Sequence, residues 1–292
     1  MARTPVVSTN VERIERKRRE HTSDLVAVEE PLQIILEHGE AHERAQTPLA
    51  MTMRTPGHDR DLVTGFLYAE GVIAGIDDLL SVRHCIRADT TDNVVRAVLR
   101  EHVVVPSRLF ERNLTVTSAC GVCGERTIES LSKEGCDRVP VKNDSFRPVA
   151  IRRALASLEE SQAWFRHTGG THCAALFDDA GKLVLHREDV GRHNALDKLV
   201  GAWLRNAASN SRDGFVVVSS RASFELVQKT VRARLPMLVA IGAATSLAVE
   251  TARRFDLTLV GFARENRFNV YSKAERIALE ASEHAFVSVE AS

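Results

Sequence analysis

The hydrophobic pattern predicts an α/β chain: a larger C-terminal sheet with helices on its faces, joined to a smaller α+β N-terminal domain. Beyond Pro148, the continuous apolar runs Phe215 to Val218, Met237 to Ile241 and Leu257 to Phe262 alternate with the amphipathic stretches Phe224 to Arg234 and Thr245 to Phe255. Unbroken apolar runs suit strands buried on both faces, and helices between them imply a sheet that is at least partly parallel. Before residue 115 the pattern is instead one of short strand-like pieces around a single helix, and 292 residues suffice for two cores. The expected division is a flexible polar arm over 1–24, the α+β domain over 25–115, a cysteine-containing loop and connector over 116–147, and the larger domain over 148–292.

In chain order, the run Glu12 to Glu20 is polar and charged and lacks a core-facing pattern, so regular structure is expected to begin near Leu25. Pro31 to Leu36 and Leu49 to Met53 read as strands. In Asp59 to Glu70, Leu62, Val63, Phe66 and Leu67 share one face of a helix, and Gly71 stands where a C-terminal cap belongs. Ser81 to Arg87 and Asn93 to Leu99 are further short strands. One helix is expected from Ala150 to Phe165, then a hairpin of Ala174 to Phe177 with Lys182 to Leu185. Next comes a helix striped by Leu196, Leu199, Val200, Trp203 and Leu204.

Composition narrows the function. Lys plus Arg equals Asp plus Glu at 39 each, which gives no bulk attraction to nucleic acid or a membrane surface. The Arg-rich start lacks the apolar stretch of a signal peptide and no run approaches membrane-span length, so a cytoplasmic, soluble protein is expected. Five cysteines in a chain this long are sparse and read as reduced thiols.

Candidate chemistry falls in a few stretches. Ser118 to Gly124 carries Cys120-Gly121-Val122-Cys123, a glycine-flanked pair. Glycines let an incoming sulfur atom approach the backbone closely, and a helix starting near Glu125 would acidify a thiol beside its N-terminus. Half a zinc site, a thioredoxin-like dithiol and a persulfide carrier all fit the spacing, although zinc would need further ligands and the surrounding βαβ of a thioredoxin is absent. Thr168-Gly169-Gly170-Thr171-His172 and the run Arg187 to Lys198 crowd titratable side chains toward one expected helix start. There Arg192 and His193 suit an anionic ligand, against the alternative of a buried polar network. Ser219-Ser220-Arg221-Ala222-Ser223 sits where a buried strand hands over to a helix, with Ser223 also a candidate N-cap. Phe262, Ala263, Arg264, Glu265, Asn266 and Arg267 follow the last strand, where arginines beside an aromatic ring suit a phosphate and a base.

Taken together these stretches resemble the FdhD/NarQ family of formate dehydrogenase accessory sulfurtransferases. The resemblance rests on Thr55-Pro56, Gly65-Phe66-Leu67, Glu70-Gly71, Cys120 to Gly124, Thr168-Gly169-Gly170 with His172, Glu188 to Ala195 with Asp197-Lys198, Ser219 to Glu225 with Gln228-Lys229, and Gly261-Phe262 with Arg264. It implies a cytidine-deaminase-like fold for the larger domain. It further implies a sulfur carrier that accepts persulfide sulfur from a cysteine desulfurase and passes it to bis-molybdopterin guanine dinucleotide for formate dehydrogenase. Cys120 is then the carrier with Cys123 beside it, Phe262 to Arg267 the guanine-dinucleotide contact, and a homodimer the expected assembly. No resident metal is expected. Glu265 and Asn266 depart from the family pattern, which has small residues there, and Cys173 stands where alanine is usual. A zinc-dependent deaminase is the enzyme alternative, although no proline precedes Cys120 and His172-Cys173-Ala174 lacks the glutamate of that signature. A cofactor-binding escort without sulfur transfer is the other.

Overall fold

The computed structural model describes residues 4–85, 93–109, 128, 136–140, 146–206 and 213–278. Regular structure begins at Val6, well before Leu25. Strand β1 (Val6–Glu15) pairs antiparallel with β2 (Arg18–Ala27) along its whole length, from Val6↔Ala27 to Glu15↔Arg18. The expected structureless arm is therefore a hairpin over most of its length. Its polarity hid it: Arg13 faces Glu20 and Glu15 faces Arg18, opposite charges directly across the ladder, and Arg16 at φ 54 supplies the left-handed turn residue.

A four-stranded sheet follows in the order β4-β3-β6-β5. It is made of β3 (Glu30–His38), β4 (Ala45–Arg54), β5 (Leu79–His84) and β6 (Val94–Leu99). Alternation in β3 buries Leu32, Ile34 and Leu36 on one face. Between β4 and β5 runs helix α1 (Asp59–Ala69), as its apolar stripe predicts. Gly71, at φ 73, donates to Tyr68 O and closes the helix, and the Arg232 guanidinium occupies the space a Cβ there would need.

The larger sheet has six strands in the order β12-β11-β10-β9-β7-β8. These are β7 (His172–Phe177), β8 (Leu183–Asp189), β9 (Phe215–Val218), β10 (Met237–Ala240), β11 (Thr258–Arg264) and β12 (Arg267–Ser272). Strands β9, β10 and β11 are mutually parallel, whereas β7 and β12 run against their neighbours. The helices are α2 (Pro148–Ser161), α3 (Ala163–Thr168), α4 (Arg192–Arg205), α5 (Phe224–Arg232) and α6 (Ser246–Arg254). One helix was expected over Ala150 to Phe165, but the chain breaks at Gln162, whose ψ of 70 ends α2. Glu188 causes the restart: its carboxylate accepts the Trp164 and Phe165 N–H groups at 3.0 and 2.8 Å, satisfying donors that the first turn of a helix leaves orphaned.

Alternate residues of β9 enter separate cores. Val216 and Val218 join a cluster with the small sheet, α1, α4, α5 and α6, while Phe215 and Val217 pack with Ile151, Ala154 and Leu158 of α2. The small sheet therefore shares a core with one face of the large one. The closest element contact in that core is α1 on α4. A Cβ on Gly65 would strike the Asp197 carbonyl and one on Gly201 the Asp61 carbonyl, so only hydrogen at both positions permits the crossing. No helix among the described residues is long and apolar enough to cross a membrane.

Candidate functional site

Strand register gathers the singled-out residues on one edge of the large sheet. Ala174 pairs with Val218, Val218 with Ala240, and Val239 with Val260, while His172 pairs with Asp189. Hence the start of β7, the end of β8 and the carboxyl ends of β9, β10 and β11 finish in one row, where α4, α5 and α6 begin. The carboxyl edge of an open α/β sheet is where ligands sit, because helix N-termini and loop N–H groups converge there.

The loops after β9 and β10 lie backbone to backbone. Ala222 bridges Ala244, Gly242 N–H donates to Ser220 O at 2.9 Å, and a Cβ on Gly242 would meet Arg221 Cα at 2.9 Å. That contact turns Arg221 outward, where it is exposed. Ser219 is spent on the fold: its Oγ accepts the Cys173 N–H and its own N–H donates to Cys173 O, both at 2.9 Å. Ser223 occupies the N-cap position of α5 without a side-chain cap bond, and its hydroxyl instead meets His193 Nε2 at 3.4 Å.

Phe262 is held at φ 50, an uncommon conformation for a bulky residue, by its N–H bond to Gly242 O at 2.9 Å. The residue is 47% exposed. Arg264 reaches back to Ile241 O at 2.7 Å and Ala263 O at 2.8 Å. Ala263 itself is buried in the α2-side core, so its side chain faces no ligand. Phe262 to Arg264 were expected beyond the strand but lie within it, since β11 runs on to Arg264; Glu265 and Asn266 form the exposed turn, and Arg267 begins β12, which the sequence pattern did not mark.

The run Arg187 to Lys198 divides in two. Arg187, Glu188 and Asp189 end β8, and helix α4 starts only at Arg192. Glu188, Asp189, Asn194, Asp197 and Lys198 are buried. Lys198 Nζ pairs with Asp189 Oδ2 at 2.6 Å and donates to Thr55 O at 2.8 Å, while Asp189 also accepts N–H groups of Thr55 and Gly191. Asn194 donates to Met53 O at 2.7 Å. This half is a polar seam tying the β4–α1 junction to the large sheet, and Arg54, chelating Asp59 through two 3.0 Å bonds, extends it.

Arg192 and His193 are the outward half. Arg192 Nε is buried without a hydrogen-bond partner among the described residues. His193 Nε2 lies 3.4 Å from Glu225 Oε2, and that contact first, with burial opposing it, holds the Glu225 carboxyl down at about 2. His172 is half-buried, and burial, then Arg192 and His193, lower its pKa and favour neutral imidazole. Next to it, burial and then Glu188 push the Cys173 thiol far up, so this buried cysteine is no nucleophile. Among the described residues, no carboxylate pairs with Arg192, Arg221, Arg264 or Arg267. Guanidiniums without carboxylate partners, helix N-termini and an exposed aromatic residue along one edge are the donor types that suit a polyanion with an aromatic part.

Cys120 and Cys123 lie outside the described residues; of the helix expected from Glu125, Ile128 is described, and it is helical. The sequence reading missed Glu225 as the partner of His193. The signal available was its place in the first turn of α5, two residues after Ser223.

Comparison with known proteins agrees with this architecture. The family model described as the FdhD/NarQ family matches residues 27–278. A protein named "Sulfur carrier protein FdhD" from Streptomyces coelicolor is 44% identical over 267 residues, 89% of this chain and 91% of that one. Another of the same name from Corynebacterium efficiens is 45% identical over 258 residues, 85% and 89% of the two chains. The crystal structure of a chain from Desulfotalea psychrophila, assigned as a formate dehydrogenase accessory protein, shares the fold at 22% identity. Its TM-score is 0.73, covering 94% of this chain and all 100% of that one. With a family match across most of its length and relatives this similar over nearly their full extent, the chain belongs to the FdhD/NarQ family.

Proposed function

We propose that this chain is a cytoplasmic sulfurtransferase: it receives sulfur as a persulfide on Cys120 and hands it to a bis-molybdopterin guanine dinucleotide cofactor, as cargo, for a formate dehydrogenase. The observation that carries the reading is the set of unmatched guanidiniums at the carboxyl edge, in a chain 44% identical to a protein named a sulfur carrier. Two nucleoside diphosphates make the cargo a polyanion, and Arg192, Arg221, Arg264 and Arg267 offer the forked donors that phosphate accepts best. The exposed Phe262 ring offers a face to a purine. The strand–helix order from β7 to β12 supports the deaminase-like sheet implied by the resemblance.

The donor half of the reaction is thiolate exchange. The Cys120 thiolate attacks the outer sulfur of a cysteine desulfurase persulfide, forming Cys120-S-SH and releasing the desulfurase thiolate. For delivery, the Cys123 thiolate attacks the inner sulfur of that persulfide. A Cys120–Cys123 disulfide forms, hydrosulfide leaves for the cofactor metal, and a dithiol reductant restores both thiols. His172, kept neutral by burial and by Arg192 and His193, adds no charge of its own at this edge. The working unit in this reading is a homodimer. A zinc deaminase fits the donor set less well, since His193 faces a hydroxyl and a carboxylate while Cys173, the thiol described beside His172, is buried and protonated.

Intact-mass spectrometry after incubation with a cysteine desulfurase and cysteine tests the donor step. One added sulfur mapped to Cys120, absent in Cys120→Ala, is the expected result. No added sulfur on Cys120 or Cys123 would leave only the escort reading.

A further inference from the structure

Three aspartates behind the carboxyl edge are matched by strong bases, Asp189 by Lys198 at 2.6 Å, Asp197 by Lys229 at 2.6 Å, and Asp61 by Arg187 at 2.8 Å and Arg205 at 2.7 Å, and Glu188 by N–H and hydroxyl donors. Glu225 differs. Its ion-pair partner is a histidine, His193, 3.4 Å away, and the Ser223 hydroxyl shares the same ring nitrogen at 3.4 Å. Both side chains are mostly but not fully buried, at 15% and 16% exposure. Both stand in the first turns of helices, α4 and α5, whose N-termini point at the cationic rim. An acidic residue in a first turn is favourable for its own helix but unfavourable for an anion arriving at that end.

Resting on the reading of this edge as a guanine-dinucleotide site, we propose that His193 is a positioning residue: its contact engages the Glu225 carboxylate and holds it back from a diphosphate bound by Arg192, Arg221 and Arg264. The surrounding charges leave the task to His193. Lys229 is committed to Asp197 through bonds of 2.6 and 2.8 Å, and Lys198 is enclosed with Asp189. Arg192, adjacent to His193, has a buried Nε with no hydrogen-bond partner among the described residues. Burial and the neighbouring cations keep His172 from adding a charge of its own. Without His193, the Glu225 carboxylate in the first turn of α5 would be free to turn toward an anion at that helix end, in surroundings that screen less than water.

The test is calorimetric titration of the full chain with GDP, comparing wild type, His193→Gln, Glu225→Gln and the double variant, with circular dichroism for folding. The expectation is that His193→Gln weakens GDP binding about tenfold, that Glu225→Gln binds at least as tightly as wild type, and that the double variant returns to within about twofold of wild type. A structural or direct-contact role for His193 predicts no such rescue, so a double variant as weak as His193→Gln overturns the proposal. If His193→Gln does not fold, Glu225→Gln alone decides: a loss of GDP affinity beyond about threefold would mean that Glu225 helps the ligand and would end the idea. Failure of the wild type to bind GDP would instead sink the reading of the edge itself.

Discussion

Lys198 Nζ and Asp189 Oδ2 lie 2.6 Å apart with neither side chain reaching solvent. Burial pushes the Asp189 carboxyl up, and Lys198 and the surrounding N–H donors pull it back. Removing one member strands the other, so Lys198→Met should cost about 3 to 5 kcal/mol in denaturant unfolding. Adding Asp189→Asn, which removes the stranded charge, should recover about half of that loss. Equal stability of wild type and Lys198→Met would show that the seam contributes little to holding the small sheet.

At the rim, Arg221→Gln and Arg192→Gln should each weaken GDP binding by about ten- to a hundredfold, the range expected when a charged hydrogen bond of about 1.5 to 3 kcal/mol is lost. Calorimetry at two salt concentrations checks it. The wild-type affinity should fall more steeply with salt than that of either variant, because fewer charges remain to be screened.

Cys173 is 1% exposed and its thiol is raised by burial. Iodoacetamide should label it only under denaturing conditions, and Cys173→Ala should load as much persulfide sulfur as wild type. Rapid native labelling of Cys173, mapped by peptide mass, would contradict the geometry.

The Glu225 carboxyl, held at about 2 by His193, is below its ordinary value of 4.5, so the sign is fixed. Its contribution to stability is fully present above pH 4.5 and is lost as pH falls toward 2. The unfolding free energy of wild type relative to Glu225→Gln should therefore shrink between pH 5 and pH 2. A gap that stays constant across that range would mean that the pair does not form.

Much of the fold could be read from the chain because period and burial coincide there. Leu62, Val63 and Leu67 mark α1 and are buried, and Phe215 to Val218, apolar throughout, is a central strand. Reading failed where stability comes from partners distant in sequence. The polar strand β1 is supported by cross-strand charges on β2, β12 by its ladder to β11, and the restart at Ala163 by a carboxylate on residue 188. The rim was legible as clusters of residue types at strand ends. Local pattern could not reveal that Glu188 and Asp189 turn inward while Arg192 and His193 turn outward, because the strand ends and the helix begins within three residues of one another.

The backbone contact of Gly65 with Asp197 and of Gly201 with Asp61 also sets a timetable for synthesis. Leu62, Val63 and Leu67 emerge from the ribosome long before Leu196, Leu199 and Val200, with which they share a core. At ordinary elongation rates the delay is on the order of ten seconds, during which the apolar face of α1 has no lid. The first sheet cannot complete its core as an independent unit, so the two sheets should form and melt as one cooperative unit. A chain truncated before α4 would be a substrate for chaperones and proteases rather than a smaller working protein.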